Sequence, residues 1–288
     1  MKNYKLLIWI LVLLPVIAFA QEEETTTEKP KDKPERPAFE SALLIDNNTD
    51  VTFIKGTLEV VMQHRFGTLD GGTNDLLGLW APANIRLALM YSFTDNITLG
   101  AGTTKDGRMQ DFNAKVALLR QTRSGSIPFN ITYYGNMGID ARTKDNFRNV
   151  QDRYSFFNQL IISRRVNSNL SIQVAPSITH YNLVEPGDNN DLMAVAFGAR
   201  YKISPQTAIM VDYTQPSYLL LDGKNKREPG LSLGVEFATS AHAFQIYLTN
   251  NKHILNQSSQ FGQKTALDFD NLGKQFMLGF TITRRYNF

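Results

Sequence analysis

Residues 84–104 read NIRLALMYSFTDNITLGAGTT, and the pattern of this stretch decides the fold. Ile85, Leu87, Leu89, Tyr91 and Phe93 alternate with Asn84, Arg86, Ala88 and Ser92. Thr94-Asp95-Asn96 then interrupts the run, and alternation resumes with Ile97 and Leu99. In an extended chain successive side chains point to opposite faces, so period two sorts the apolar set onto one face and the polar set onto the other. Asp and Asn bond their own backbone and tolerate tight turns. The stretch is therefore a β-hairpin with one apolar face and one polar face that carries an arginine.

The same reading extends to both sides. Leu58, Val60 and Met62 alternate with Thr57, Glu59 and Gln63, and Phe129, Ile131 and Tyr133 with Asn130, Thr132 and Tyr134. Near the end Phe276, Leu278, Phe280 and Ile282 oppose Gln275, Gly279, Thr281 and Thr283. Twelve strands are predicted, at about 56–66, 84–93, 97–104, 111–121, 127–140, 153–165, 170–182, 192–203, 207–215, 230–239, 242–250 and 274–288. The connectors 94–96, 122–126, 166–169, 204–206 and 240–241 are tight, and 67–83, 105–110, 141–152, 183–191, 216–229 and 251–273 are longer. Short turns alternating with longer loops between amphipathic strands are the pattern of a transmembrane up-and-down antiparallel β-barrel. An even strand count places both termini on the short-turn side, which predicts an outer-membrane protein with periplasmic N- and C-termini.

Aromatics on the apolar face fall at two levels, as interfacial girdles do. Tyr91, Phe93, Phe129, Tyr201, Phe237, Phe244, Tyr286 and Phe288 lie at the short-turn level, and Phe66, Phe112, Tyr154, Phe156, Tyr213 and Phe276 at the other. Arg120, Arg164 and Arg284 occupy short-turn strand ends, where a long side chain can reach the interface. Asn158 is the exception: either a mid-strand polar residue sits on the apolar face, or the phase of that strand is misread. A soluble β-sandwich also alternates, but its outer face is polar.

Composition narrows the function classes. The 288 residues carry 30 Lys+Arg and 27 Asp+Glu, a formal charge of +3, which gives no bulk signature of nucleic-acid binding. The absence of cysteine excludes disulfides, thiolate metal sites, a Cys nucleophile and an acylated N-terminal anchor. Residues 1–20 combine Lys2 and Lys5, an apolar stretch and Ala18-Phe19-Ala20, which predicts a cleaved signal peptide. Residues 21–38, rich in Glu, Thr, Lys and Pro, are expected to form a flexible periplasmic tether. Residues 39–55 are modestly apolar and admit two placements, a periplasmic arm or a plug within the cavity of the 56–288 barrel.

The stretches KGTLEVVMQHRFG (55–67), GAGTTKD (100–106), ALLRQTRSGSIP (117–128), RYKISPQTAI (200–209) and LGVEFATSAHAFQIY (233–247) resemble a domain-of-unknown-function family of outer-membrane β-barrels from Gram-negative bacteria. The likeness runs through most of residues 39–288. It implies a barrel in the outer membrane and brings no substrate or catalytic residues with it. Tyr286 and Phe288, continuing the apolar face of the last strand, resemble the C-terminal signal read by barrel-assembly machinery, with Arg284 as a departure from it.

The polar face defines the candidate site. Its ionisable residues are Glu59, Arg65, Arg86, Lys115, Asp140, Arg165, Arg200, Lys202, Asp212, Glu236 and Arg285, seven cations to four anions. Of these Arg65, Arg86, Lys115, Asp140, Arg200, Asp212 and Glu236 are the expected lumen-lining, selectivity-setting set. The leading expectation is a narrow, weakly anion-preferring passive channel for small solutes. The alternative is a filled structural or accessory barrel acting through partners on its loops or tether. A membrane-embedded hydrolase is a third reading, and a weaker one. His64, His180 and His242 fall on the lipid face and His253 in a loop, with no His-x-Ser context and no metal-ligand spacing. No catalytic residue, metal or cofactor is expected. The acidic loops 70–75 and 185–191 lack the spacing of an EF-hand. Membrane lipids and the assembly machinery are the expected partners.

Overall fold

The computed structural model describes residues 32–217, 227–262 and 267–288. The expected signal peptide, and the tether up to residue 31, lie outside the described residues.

A small hairpin, β1 (Leu43–Leu44) and β2 (Asn47–Asn48), precedes the barrel. The barrel strands are β3 (Thr57–Thr68), β4 (Asn84–Ser92), β5 (Ile97–Thr104), β6 (Met109–Leu119), β7 (Asn130–Asp140) and β8 (Tyr154–Arg165). They continue with β9 (Leu170–Tyr181), β10 (Asp191–Lys202), β11 (Thr207–Pro216), β12 (Gly230–Ala238), β13 (His242–Thr249) and β14 (Met277–Asn287). Each pairs antiparallel with its sequence neighbours, and β14 closes on β3 through Thr283↔Val61 and Thr281↔Gln63. Closure leaves no free edge, so every strand can satisfy its backbone inside hydrocarbon.

Burial runs opposite to that of a soluble protein. Outward Leu89 and Ile246 are 54% and 52% exposed, whereas inward Arg65 and Gln245 are each 1% exposed. An apolar exterior around a polar interior is stable only against lipid, which rules out the sandwich. Asn158 does face outward as its phase requires, and the Tyr133 hydroxyl donates to its Oδ1 at 2.5 Å. Satisfying the amide oxygen locally reduces the penalty of a polar group at that depth.

Two expectations are corrected. Phe276 belongs to no girdle: it precedes β14, donates its N–H to Leu272 O, and is buried at 8% exposure. The connection 105–110 is not a long one, because β6 already begins at Met109. Lys105–Arg108 turn tightly there, with Gly107 at φ 63° and Arg108 at φ 48°.

Candidate functional site

Residues 38–53 pack against the inner face of the barrel strands. They lie inside the barrel, with Phe39, Ser41, Ala42, Leu44, Ile45 and Thr49 all 4% exposed or less. The segment enters from the short-turn end. Glu35 N–H donates to Gln121 O at 2.7 Å, Lys55 N–H to Asp95 Oδ1 at 2.8 Å, and the Arg285 guanidinium lies 4.9 Å from the Phe53 ring centre.

Paired strands of only two residues leave most backbone groups of the plug without partners of its own. The barrel wall supplies them. Lys115 Nζ donates to Ala42 O at 3.0 Å, Gln245 Nε2 to Leu43 O at 2.9 Å and Gln173 Nε2 to Asn48 O at 3.0 Å. The tip is held most closely. Asp212 Oδ2 accepts from the backbone N–H groups of Asp46 and Asn47, each at 2.9 Å, and its Oδ1 accepts from Asn47 Nδ2 at 2.7 Å. Ile45 at the tip has φ 60°, a left-handed conformation that costs a β-branched residue about 1–2 kcal/mol. That cost is met by complete burial of Ile45 with Leu44, Phe39, Met210 and Tyr247.

Two wall glycines make room for this tip. A Cβ at Gly198 would coincide with Leu44 Cδ2, and one at Gly234 would sit 3.3 Å from Ile45 Cδ1. Gly198→Val is expected to push Leu44 out of its seat at about 1–3 kcal/mol, the usual penalty of overpacking. Limited proteolysis in membranes checks this: cleavage within 33–53 should rise while the barrel stays protected.

A second segment enters from the long-loop end. The chain between β13 and β14 turns into the lumen and forms a short helix, α1 (Asn256–Gly262), whose Asn256, Gln257, Ser259 and Gln260 are buried. Gln257 Nε2 donates to Asn136 Oδ1 at 2.7 Å, Gln260 Nε2 to Ser177 Oγ at 2.9 Å, and Thr179 Oγ1 to Gln260 Oε1 at 2.7 Å. The two inserted segments meet at mid-lumen, where Asn256 Nδ2 donates to Asp46 O at 3.0 Å and Asn48 Nδ2 to Asn256 Oδ1 at 3.2 Å. Arg65 bridges them: one guanidinium nitrogen pairs with the Asp46 carboxylate, and another donates to Asn251 O at 2.7 Å and to His253 O. Between plug, α1 segment and wall remains a cavity of about 20 Å³, room for about one water.

The expected lumen residues fall into three groups. Arg65, Lys115 and Asp212 hold the plug. Arg86 and Arg200 are spent on the wall itself, Arg86 bidentate to Asp111 at 2.7 and 3.0 Å and Arg200 Nε to Glu236 at 2.7 Å. Asp140 lies at the long-loop mouth, paired with Arg142 at 2.6 Å, rather than in the lumen proper. Asp111 was missing from the expected set, although period two from Lys115 through Asn113 points it inward. Asp46 and Asn256 carry no signal in the sequence, because their place depends on where two non-strand segments are threaded.

Among the described residues no histidine ring is hydrogen-bonded to a serine hydroxyl. His64 lies on the lipid face, stacked on Phe280 at a ring-centre distance of 5.1 Å and tilted against Phe66 at 4.3 Å. His180 contacts Asp191 and Asn182, and His253 Nδ1 contacts Asp106 Oδ2 at 2.6 Å. The last contact holds the Asp106 carboxyl below its ordinary range. Because that pKa is depressed, the contact is at full strength above ordinary carboxylate values near 4 and is lost as pH falls through the lowered value. His253→Ala should return Asp106 to the ordinary range in a carboxyl NMR titration. Among the described residues no three His, Asp or Glu side chains converge on a metal position.

A closed barrel with a lipid-compatible exterior and a hydrogen-bonded polar interior defines the class: an outer-membrane β-barrel. Residues 39–286 match the membrane-bound β-barrel domain family DUF5777, and the chain belongs to that family. Among solved structures it is similar to the KdgM porin, with 7% identity over 80% of this chain and 99% of that one and a TM-score of 0.49. The COG4313 outer-membrane channel from Pseudomonas putida F1 shows 12% identity over 82% and 97%, with a TM-score of 0.48. The outer membrane phospholipase A from Escherichia coli shows 11% identity over 84% and 95%, with a TM-score of 0.41. No curated protein matches the chain.

Proposed function

We propose that this protein is a plugged channel for small solutes, closed at rest and conducting when the 38–53 hairpin withdraws through the short-turn mouth. The carrying observation is the chemistry of the wall beneath the plug. Gln159, Gln173, Gln245 and Lys115 meet the hairpin through hydrogen bonds that water can replace, so withdrawal leaves a hydrated lining. In this reading the short-turn end and both termini are periplasmic, and the hairpin is continuous with the periplasmic tether.

Selectivity is weak and anion-preferring. With Asp111 included and Asp140 set aside at the long-loop mouth, the wall carries seven cations to four anions, and the inward cations Arg165, Lys202 and Arg285 lie at the short-turn mouth. Arg86 is neutralised by Asp111. Arg165→Glu with Arg285→Glu should therefore reverse the preference, measured as reversal potential in a salt gradient, more than Arg86→Glu does.

The experiment is planar-bilayer conductance of three forms. The native chain should open rarely, a chain lacking residues 33–53 should conduct steadily, and a Leu44→Cys/Gly198→Cys pair should stay closed until reduced. The absence of native cysteines keeps that cross-link unambiguous. The filled state of the lumen favours a second reading, a structural or accessory barrel. A correctly folded deletion form that never conducts would establish that reading and sink the channel.

A further inference from the structure

The short-turn rim carries uncompensated positive charge that the lumen does not use. Arg123, Arg164 and Arg284 are exposed there. Among the described residues none of the three side chains has an acidic partner, and Arg284 is stacked on Tyr286 at 4.8 Å. Arg120 is bound only by neutral acceptors, Asn96 Oδ1 at 3.0 Å, Thr52 Oγ1 at 2.9 Å and the Asp95 carbonyl. These contacts position its guanidinium, with the inserted segment's Asp50 close enough to feel its charge.

The depth of these groups is set by the aromatics around them. Tyr91, Phe93, Phe129, Tyr201 and Phe237 are exposed on the outer face at the same end, which marks the level where hydrocarbon gives way to headgroups. Arg164 and Arg284 lie on lipid-facing strand positions, so their stems run along apolar surface and their guanidinium groups reach the phosphate layer. Among the described residues the lipid-facing surface of the opposite end lacks this arrangement. Its lipid-facing ionic contact, His180 with Asp191, contains its own acid. A guanidinium presents paired donors that match phosphate oxygens, and an unpaired one in the interface is stabilised by an anionic headgroup.

We propose that Arg120, Arg123, Arg164 and Arg284 form a basic collar that binds anionic phospholipid headgroups of the leaflet at the short-turn end. The collar fixes how deeply and which way round the barrel sits. Arg164 and Arg284 act outside the lumen, whereas Arg120, which donates to Thr52 Oγ1 of the inserted segment, links the collar to the plug.

The full chain, purified from membranes and placed in lipid nanodiscs, tests this. Lipids retained on the protein are counted by native mass spectrometry from discs of phosphatidylcholine mixed with phosphatidylglycerol. The native chain should retain phosphatidylglycerol selectively, and Arg123→Gln/Arg164→Gln/Arg284→Gln should lose that enrichment by roughly fivefold per arginine. Arg108→Gln/Lys144→Gln, at the long-loop end, should leave it unchanged. Heat-modifiable migration on gels confirms that all three forms are folded barrels. Equal retention of the two lipids by the native chain would overturn the proposal. So would retained selectivity in the triple variant, or an equal loss in the long-loop variant, which would mean that net charge and not the collar selects the lipid.

Discussion

Arg65→Ala is expected to free both inserted segments at once, at a cost of about 3–5 kcal/mol, the range for breaking one side of a buried ion pair. Arg65 is 1% exposed and is the side chain that touches the plug through Asp46 and the outer segment through Asn251 and His253. Its removal leaves the Asp46 carboxylate with only the hydroxyls of Ser232 and Thr249. Barrel strands pair independently of it, so the loss should appear as loosening of the lumen and not as unfolding. Hydrogen exchange should accelerate in residues 43–50 and 253–260 together, and channel openings should become frequent. Arg65→Lys separates charge from geometry. A single ammonium keeps the attraction to Asp46 but lacks the fork needed to reach both carbonyls, so only the outer segment should loosen. Unchanged exchange in both segments for Arg65→Ala would remove Arg65 from the closing mechanism.

Asp212→Ala is expected to be comparably severe at the plug tip. Two backbone N–H groups and the Asn47 amide lose their acceptor, and each buried unsatisfied donor costs about 1–3 kcal/mol. The left-handed Ile45 then has nothing to hold its conformation, so the hairpin should leave its seat. Asp212→Asn should fall between native and alanine. Its carbonyl can still accept, but its NH₂ group faces the Asn47 NH₂, donor against donor. The decisive readout is exchange at the Asp46 and Asn47 amides, which should rank alanine fastest and native slowest. If Asn proved as fast as Ala, the carboxylate charge rather than its two acceptor oxygens would be what secures the tip.

Much of the barrel was legible because a strand between lipid and a polar lumen must alternate, and alternation survives in a single sequence. The hairpin at 84–104 shows this: Leu87 and Leu89 point out, Arg86 and Ala88 point in, and the turn falls at 93–96. Even the misfit Asn158 kept its phase, its partner Tyr133 lying on the neighbouring strand. Phe276 lies outside the girdle because the expected strand begins at 274, three residues ahead of β14, in a turn that the loop packing sets.

What closes the lumen was decided elsewhere. Residues 39–55 are short, irregular and weakly apolar, and such a segment has no periodicity that tells inside from outside. Its position follows from contacts more than 100 residues away in sequence, Asp212 with Asn47 and Gln173 with Asn48. The same holds for Asn256, which only meets Asp46 once β13 and β14 have directed their connection inward. Local pattern determined which residues line the wall, since each strand's two faces are fixed by its own backbone. Only the closed barrel could determine which of those residues are already occupied, because their partners arrive from opposite ends of the lumen.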